Sequence, residues 1–311
     1  MIALDEIRRA RERIEGAAIR TPLIRLEGTD IWLKLENLQP IGSFKIRGAT
    51  NAIRSAERSA IARGVGTASA GNMAQGVAWA AREAAVPAVI VVPEHAPQTK
   101  LDAVERLGGR VVRVPYGEWW QAIEESRHDA VPGLFVHPVQ DEAVMAGNGT
   151  IGLELLEDLP DVDAVLVPWG GGGLTVGIAS AVKALRPEAQ VYAVEPETGA
   201  PLGASLAAGT PQAFDYVPSF VDGAGARALL APMWARVAGL VDGALSVSLD
   251  EAAAAVRLLA ERTHVVAEGA GALALAAALA GGVTGKTVCI VSGGNIDATR
   301  LAAILRGETP A

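Results

Sequence analysis

Hydrophobic runs of four to seven residues recur along this chain, separated by longer stretches with helical character. "DIWLKLE" (30–36), "VGTAS" (65–69), "AVIVVP" (88–93), "RVVRVP" (110–115) and "GLFVHP" (133–138) form a first set. "VDAVLVP" (162–168), "QVYAVEP" (190–196) and "KTVCIVSGG" (286–294) form a second. Several are apolar at consecutive positions rather than alternating, as expected of parallel strands covered by helices on both faces. The segments between them, such as "GIASAVKALRP", "DEAAAAVRLLAERT" and "GAGALALAAALAGG", read as helices. The pattern predicts an α/β protein with two doubly wound, mostly parallel sheets. The stretch around 136–144 is the expected return point between them. Residues 1–52 and 145–311 are assigned to a large domain and 53–144 to a small one. In such folds ligands bind beyond the carboxyl ends of the strands, and the glycine clusters fall there.

Composition narrows the classes. With 311 residues, half of them hydrophobic and a fifth charged, the chain folds as a globular protein of about two domains. A net charge of −8 argues against general nucleic-acid affinity. The amphipathic start "MIALDEIRRARERIEGA" lacks the apolar core of a signal peptide, and no apolar run reaches the length of a membrane span. A cytoplasmic protein is expected. The single cysteine, Cys289, excludes an internal disulfide and a thiolate-rich metal site; its strand gives it a packing role. His95, His128, His137 and His264 show no metal-ligand spacing, and Trp119 and Trp120 read as packing residues.

Three strand-to-helix turns carry candidate chemistry. In "VPWGGGGLTVGIA" (167–179), a strand ends, Gly170, Gly171, Gly172 and Gly173 turn the chain, and a helix begins. Four glycines let the backbone approach a ligand, and the helix start adds free N–H donors and partial positive charge. That is a phosphate cradle without a basic side chain. No Gly-Lys-Ser/Thr follows, so it is not a nucleotide P-loop. In "ASAGNMAQG" (68–76), the small polar turn offers Ser69, Asn72 and backbone N–H groups to a carboxylate, although alone it could be an ordinary helix start. In "CIVSGGN" (289–295), Ser292 ends a strand beside two glycines. A fourth stretch, "QPIGSFKIRGA" (39–49), places Lys45 after Phe44 at a helix start. Lysine is scarce here, five against 22 arginines, and unlike arginine its amine can react as a nucleophile.

Taken together, these stretches resemble the fold-type II pyridoxal-phosphate enzymes, specifically the threonine/serine dehydratase and serine racemase group. The resemblance covers nearly the whole chain and includes "RTPL" (20–23), "KLENLQPIGSFKIRGA" (34–49), "SAGNMAQG" (69–76), "GNGTIGLELL" (147–156), "VPWGGGG" (167–173), "VYAVEP" (191–196), "EGAGA" (268–272) and "SGGN" (292–295). It implies a tryptophan-synthase-β-like fold with the cofactor in the cleft between two domains. It further implies that Lys45 bonds the cofactor aldehyde, that Phe44 flanks the ring and that Asn72 bonds its 3′-oxygen. Gly170 to Gly173 would hold the phosphate, Ser292 would face the pyridine nitrogen, and Ser69, Ala70, Gly71, Asn72 and Met73 would hold the substrate carboxylate. The implied reaction is loss of water from a hydroxy amino acid, giving a 2-oxo acid and ammonia. A homodimer or homotetramer is implied as well.

The sequence departs from that group at named positions. Racemases carry serine where Ala70 stands, so racemisation is disfavoured. Met73 replaces a common histidine. Some relatives hold a divalent cation; Glu195 matches one ligand, but Pro201 stands where an aspartate belongs, and no metal is expected. The chain ends soon after its last sheet element, without a counterpart of the regulatory domain of isoleucine-sensitive enzymes. A dinucleotide-dependent oxidoreductase, with Glu195 at a ribose, is the rival reading, and a silent binding protein is a third. Neither gives Lys45 and the "SAGN" turn a role.

Overall fold

The computed structural model describes residues 1–310 and contains the two expected sheets. The larger has six strands in the order β1-β2-β10-β7-β8-β9: β1 (Leu23–Arg25), β2 (Ile31–Leu35), β10 (Thr287–Val291), β7 (Ala164–Pro168), β8 (Gln190–Pro196) and β9 (Gly243–Val247). Only β1 runs antiparallel, against β2. The smaller, wholly parallel sheet has the order β5-β4-β3-β6, from β5 (Gly109–Val114), β4 (Ala88–Pro93), β3 (Val65–Ala68) and β6 (Leu134–Phe135). Every residue of β4, β7 and β10 is buried, as continuous apolar runs between two helical layers require. Among the described residues no helix is long and apolar enough to cross a membrane.

All four strands of the smaller sheet lie within residues 53–144 and all six of the larger lie outside. The expected seams fall inside two helices, Lys45–Ser55 and Glu142–Asp158, which pack on each other. They approach backbone to backbone. A methyl group on Gly147 would lie 2.5 Å from the Arg47 carbonyl oxygen, and one on Gly48 would lie 2.9 Å from that of Val144. Larger residues would push the helices apart and carry Lys45 with them.

A closed set of buried charges fixes the same helix from its other side. Arg47 donates from Nε to Glu36 Oε2 (2.8 Å) and from Nη1 to Glu154 Oε1 (2.6 Å), while Lys34 Nζ donates to Glu154 Oε2 (2.6 Å). Thr21 Oγ1 and Gln39 Nε2 also donate to Glu36, and Thr150 Oγ1 accepts from Arg47. Two cations face two carboxylates, all four side chains are buried, and each carboxylate oxygen accepts at least one hydrogen bond. Burial alone would raise the Glu36 carboxyl, but the Arg47 charge and hydrogen bonds overcome it and hold the group below its ordinary range. The cluster ties β2, the 19–21 segment and the Glu142–Asp158 helix to the helix that begins with Lys45.

Candidate active site

Lys45 opens its helix because the chain turns sharply just before it. Gly42 sits at φ +72°, a conformation that suits glycine, and a methyl group there would strike Asn295 Oδ1 at 2.5 Å. The turn is stitched to the loop after β10: the Phe44 N–H donates to Ser292 O (3.0 Å) and the Gly294 N–H to Gly42 O (2.9 Å). Lys45 Nζ lies 5.1 Å from the Phe44 ring centroid and donates to the Pro138 carbonyl (3.2 Å). Burial pushes this amine down to about 8, with the charge of Glu268 opposing. A substantial fraction is therefore unprotonated near neutrality and available as a nucleophile or base.

The glycine turn leaves β7 through the buried Trp169 and enters the helix Gly173–Leu185. Gly172 has φ +96°, and a side chain there would meet the Trp169 ring at 2.3 Å. On Gly171 and Gly173 a methyl group would run into Val139, at 2.3 Å from Cγ2 and 2.7 Å from the carbonyl oxygen. Among the described residues, the N–H groups of Gly170 to Gly173 donate to no protein acceptor. Unspent N–H groups at the start of a thirteen-residue helix form an anion cradle. A phosphate group fits this arrangement of donors, and the residues present therefore suit a phosphorylated cofactor.

The turn after β3 holds Ser69, Ala70, Gly71 and Asn72, with the Gly71 N–H donating to Ser69 Oγ (3.2 Å). A methyl group on Gly71 would meet nothing within 4 Å, so the turn is open. Met73 is different: its side chain is buried in the core of the smaller unit among Ala49, Ile53 and Val77. Only its backbone can face a ligand, which explains why methionine can occupy this position. Ser292 is buried, and among the described residues its hydroxyl has no hydrogen-bond partner.

Three groups near these residues escape a sequence reading. Asn72 Nδ2 donates to Glu268 Oε1 (2.7 Å), and Asn295 Nδ2 donates both to Asn72 Oδ1 (2.8 Å) and to Ile41 O (2.9 Å). The Ile41 carbonyl thus fixes which end of Asn295 faces Asn72, and this in turn directs the Asn72 amino group toward Glu268. Glu268 precedes the helix Gly269–Leu279, follows a π-helical turn at Leu259–Thr263, and packs against Gly223 and Gly293. Burial, assisted by Asp222, pushes its carboxyl up to about 7, opposed by the Asn72 bond and by Lys100 and Lys45. "EGAGA" marks a helix start in sequence, but the partner 196 residues away leaves no local trace. Asp222 accepts from Lys100 of the smaller unit (2.7 Å) and from Arg300 (3.3 Å).

Glu195 lies elsewhere. It is buried, with Leu202 N–H (2.9 Å) and Gly203 N–H (2.8 Å) donating to its two carboxylate oxygens, so it caps the helix Pro201–Ala208. At 1% exposure with both oxygens turned to that helix start, it offers a ribose no access, which removes the basis of the dinucleotide reading. Among the described residues no three His, Cys, Asp or Glu side chains gather as metal ligands. Cys289 is buried in β10, its thiol pushed up by burial, as its packing role requires.

The chain and its fold have relatives among known proteins. Residues 14–294 match the family described as pyridoxal-phosphate dependent enzyme. The chain is 41% identical to an L-threonine ammonia-lyase of Thermotoga maritima over 98% of its own length and 78% of that protein's. Its structure superimposes on maize serine racemase with a TM-score of 0.91 at 33% identity, covering 98% of this chain and 97% of that one. The processed form of threonine deaminase isoform 2 from Solanum lycopersicum gives a TM-score of 0.86 at 34% identity, covering 97% and 93%.

Proposed function

Because the chain belongs to the family of pyridoxal-phosphate-dependent enzymes, we propose that it removes water from L-threonine or L-serine, releasing a 2-oxo acid and ammonia. The observation that carries this reading is one constellation: a buried lysine amine bonded to Pro138 O, with the next residue, Val139, lying against a glycine turn whose four N–H donors are unspent among the described residues. Residues 1–52 and 145–311 form the cofactor-binding unit, and 53–144 supply the substrate loop. The N–H groups of Gly170 to Gly173 would hold the phosphate, Phe44 would flank the ring, and Lys45 would be the amine that bonds the aldehyde. When bound, pyridoxal phosphate supplies the electron sink that acidifies the substrate Cα and lets the β-hydroxyl depart.

The protein's own groups do the rest. Asn72, held at both ends of its amide, presents its remaining N–H to the ring oxygen. Ser292 offers a hydroxyl to the pyridine nitrogen. A carboxylate there would keep that nitrogen protonated, whereas a hydroxyl leaves it neutral and favours rapid loss of a ready leaving group. The turn at Ser69, Ala70, Gly71, Asn72 and Met73 holds the substrate carboxylate. Among the described residues the N–H groups of Ala70, Asn72 and Met73 have no protein acceptor, whereas those of Ser69 and Gly71 donate to Val91 O and Ser69 Oγ. Lys45 Nζ, once free, takes the Cα proton. The enzyme acts in the cytoplasm as a homodimer or homotetramer, which light scattering on the purified protein tests. The activity test is direct. The protein with pyridoxal phosphate should be yellow, borohydride should fix the cofactor to Lys45 in a peptide map, and L-threonine or L-serine should yield 2-oxo acid. Label on another lysine, or no 2-oxo acid from either substrate, overturns the reading.

A further inference from the structure

His137 is buried, ionisable and outside the chemistry described above, yet the turn it builds touches both halves of the site. Its Nε2 lies 3.1 Å from the Ile123 carbonyl oxygen, which can only accept, so Nε2 carries the proton. Its Nδ1 lies 3.0 Å from the N–H groups of both Val139 and Gln140, which can only donate, so Nδ1 is bare. The tautomer is therefore dictated by backbone on both sides. Ile123 belongs to the last turn of the helix Tyr116–Glu125, and the imidazole joins the Ser126 N–H (3.3 Å) as a second donor to its carbonyl. Gln140 adds a second tie, from Nε2 to Ser126 Oγ (3.2 Å).

What this ring holds in place is the 138–140 turn. Pro138 O accepts the Lys45 amine, and Val139 lies against the positions where Gly171 and Gly173 would carry side chains. We propose that His137 is a positioning residue whose neutral, Nε2-protonated ring fixes the Pro138 carbonyl as the acceptor that aims Lys45 and fixes Val139 as the wall of the glycine cradle. The proposal rests on Lys45 being the cofactor-bonding residue. A protonated ring would lose both turn contacts at Nδ1. Burial and the nearby Lys45 charge oppose that proton and push the group down to about 4, against the weaker pull of the Ile123 bond. The ring therefore stays neutral wherever Lys45 can work.

The tautomer is measurable without activity. The chain has four histidines, so a nitrogen-15 NMR spectrum of the histidine-labelled, cofactor-free protein is simple, and His137→Asn identifies the signal. One ring should show a protonated Nε2 and a bare Nδ1, unchanged between pH 8 and pH 5. A proton on Nδ1, or titration near the ordinary histidine value, overturns the proposal. Two variants then separate positioning from filling. Asparagine places Oδ1 where Nδ1 stood and can still accept from the turn, whereas leucine fills space and accepts nothing. His137→Asn should keep kcat within about threefold. His137→Leu should lose about tenfold in kcat and in the rate of pyridoxal phosphate uptake, with KM little changed. Equal behaviour of the two variants refutes the positioning role. Failure to trap cofactor on Lys45 in the unaltered protein would overturn the functional reading instead, leaving the tautomer result standing.

Discussion

Replacing Arg47 by methionine should unfold this protein well before it disturbs the chemistry directly. The guanidinium makes bonds to both oxygens of Glu36 and both of Glu154, and further ones to Thr150 Oγ1 and Ile19 O. Methionine matches the stem but leaves Lys34 as the one cation for two buried carboxylates. Breaking a buried ion pair from one side costs about 3–5 kcal/mol, because the abandoned charge has no water to return to. At about 2–4 °C per kcal/mol for a domain of this size, the melting midpoint should drop by about 6–20 °C. Adding Glu36→Gln restores neutrality, keeps an acceptor for Thr21 and leaves the Lys34–Glu154 pair intact. The double variant should therefore recover at least half of the loss, and thermal melts with urea titrations at equal cofactor loading measure it. Acid supplies a sign check. The Glu36 carboxyl is depressed in the fold, so its stabilisation is present above its ordinary value of 4.5 and lost as pH falls through the folded value. The gap between Arg47→Met and the unaltered protein should accordingly narrow in acid. A single-variant cost under about 1 kcal/mol, or simple additivity in the double variant, would refute the reasoning.

Lys45→Ala should reduce 2-oxo acid formation by about a thousandfold or more, with a melting midpoint within a few degrees, because the amine's one hydrogen bond in the fold is to Pro138 O; substantial turnover without added amines sinks the assignment. Uptake of pyridoxal phosphate, followed by stopped-flow absorbance, should rise with pH and level off above about 8, since burial has lowered the Lys45 amine to that value; a rate still climbing at pH 10 contradicts it. Ala70→Ser adds a hydroxyl in an open turn and should raise the ratio of D-serine formed to 2-oxo acid released, read by chiral chromatography, while the unaltered protein leaves little D-serine; appreciable D-serine from the latter refutes this reading of Ala70. Ser292→Asp should shift products from elimination toward transamination, and an unchanged ratio would show that the hydroxyl has no such role.

The parts of the site legible in sequence are those confined to one strand-turn-helix unit. Gly170 to Gly173, the Ser69–Met73 turn and Lys45 all announce themselves by local glycines and flanking apolar runs, and the same runs mark β2, β3, β4, β5, β7, β8 and β10. What pairs across the fold was not legible. Glu268 meets Asn72 only because the two units come together, and Asn295 meets Ile41, 254 residues away in sequence, only because β10 pairs with β2. His137 carries no metal spacing, and its use of three backbone groups leaves no sequence pattern. β1 and β9 were missed for a different reason: they are sheet edges, only partly buried, and three-residue Leu23–Arg25 and glycine-started Gly243–Val247 lack the long apolar run of a central strand. "GLFVHP" contributes only Leu134 and Phe135 to its sheet because His137 and Pro138 are committed to the turn.

The hydrogen-bond chain through Asn72 also ties the two units together. Asn72 opens the helix that follows β3 of the smaller sheet, whereas Asn295 lies just past β10 of the larger sheet and Glu268 at the start of the helix Gly269–Leu279. Swinging the two units apart must break both contacts, one of them to a carboxyl group, at a cost of about 2–4 kcal/mol. The open form would then be populated about one part in thirty to one in a thousand, on the scale of a tenfold change per 1.4 kcal/mol. A ligand that needs the units apart would enter through that minority, so the two Asn72 contacts would set how often the cleft admits a guest. Hydrogen exchange at the Ser69–Asn72 amides reads the population, and Asn295→Ala should enlarge it.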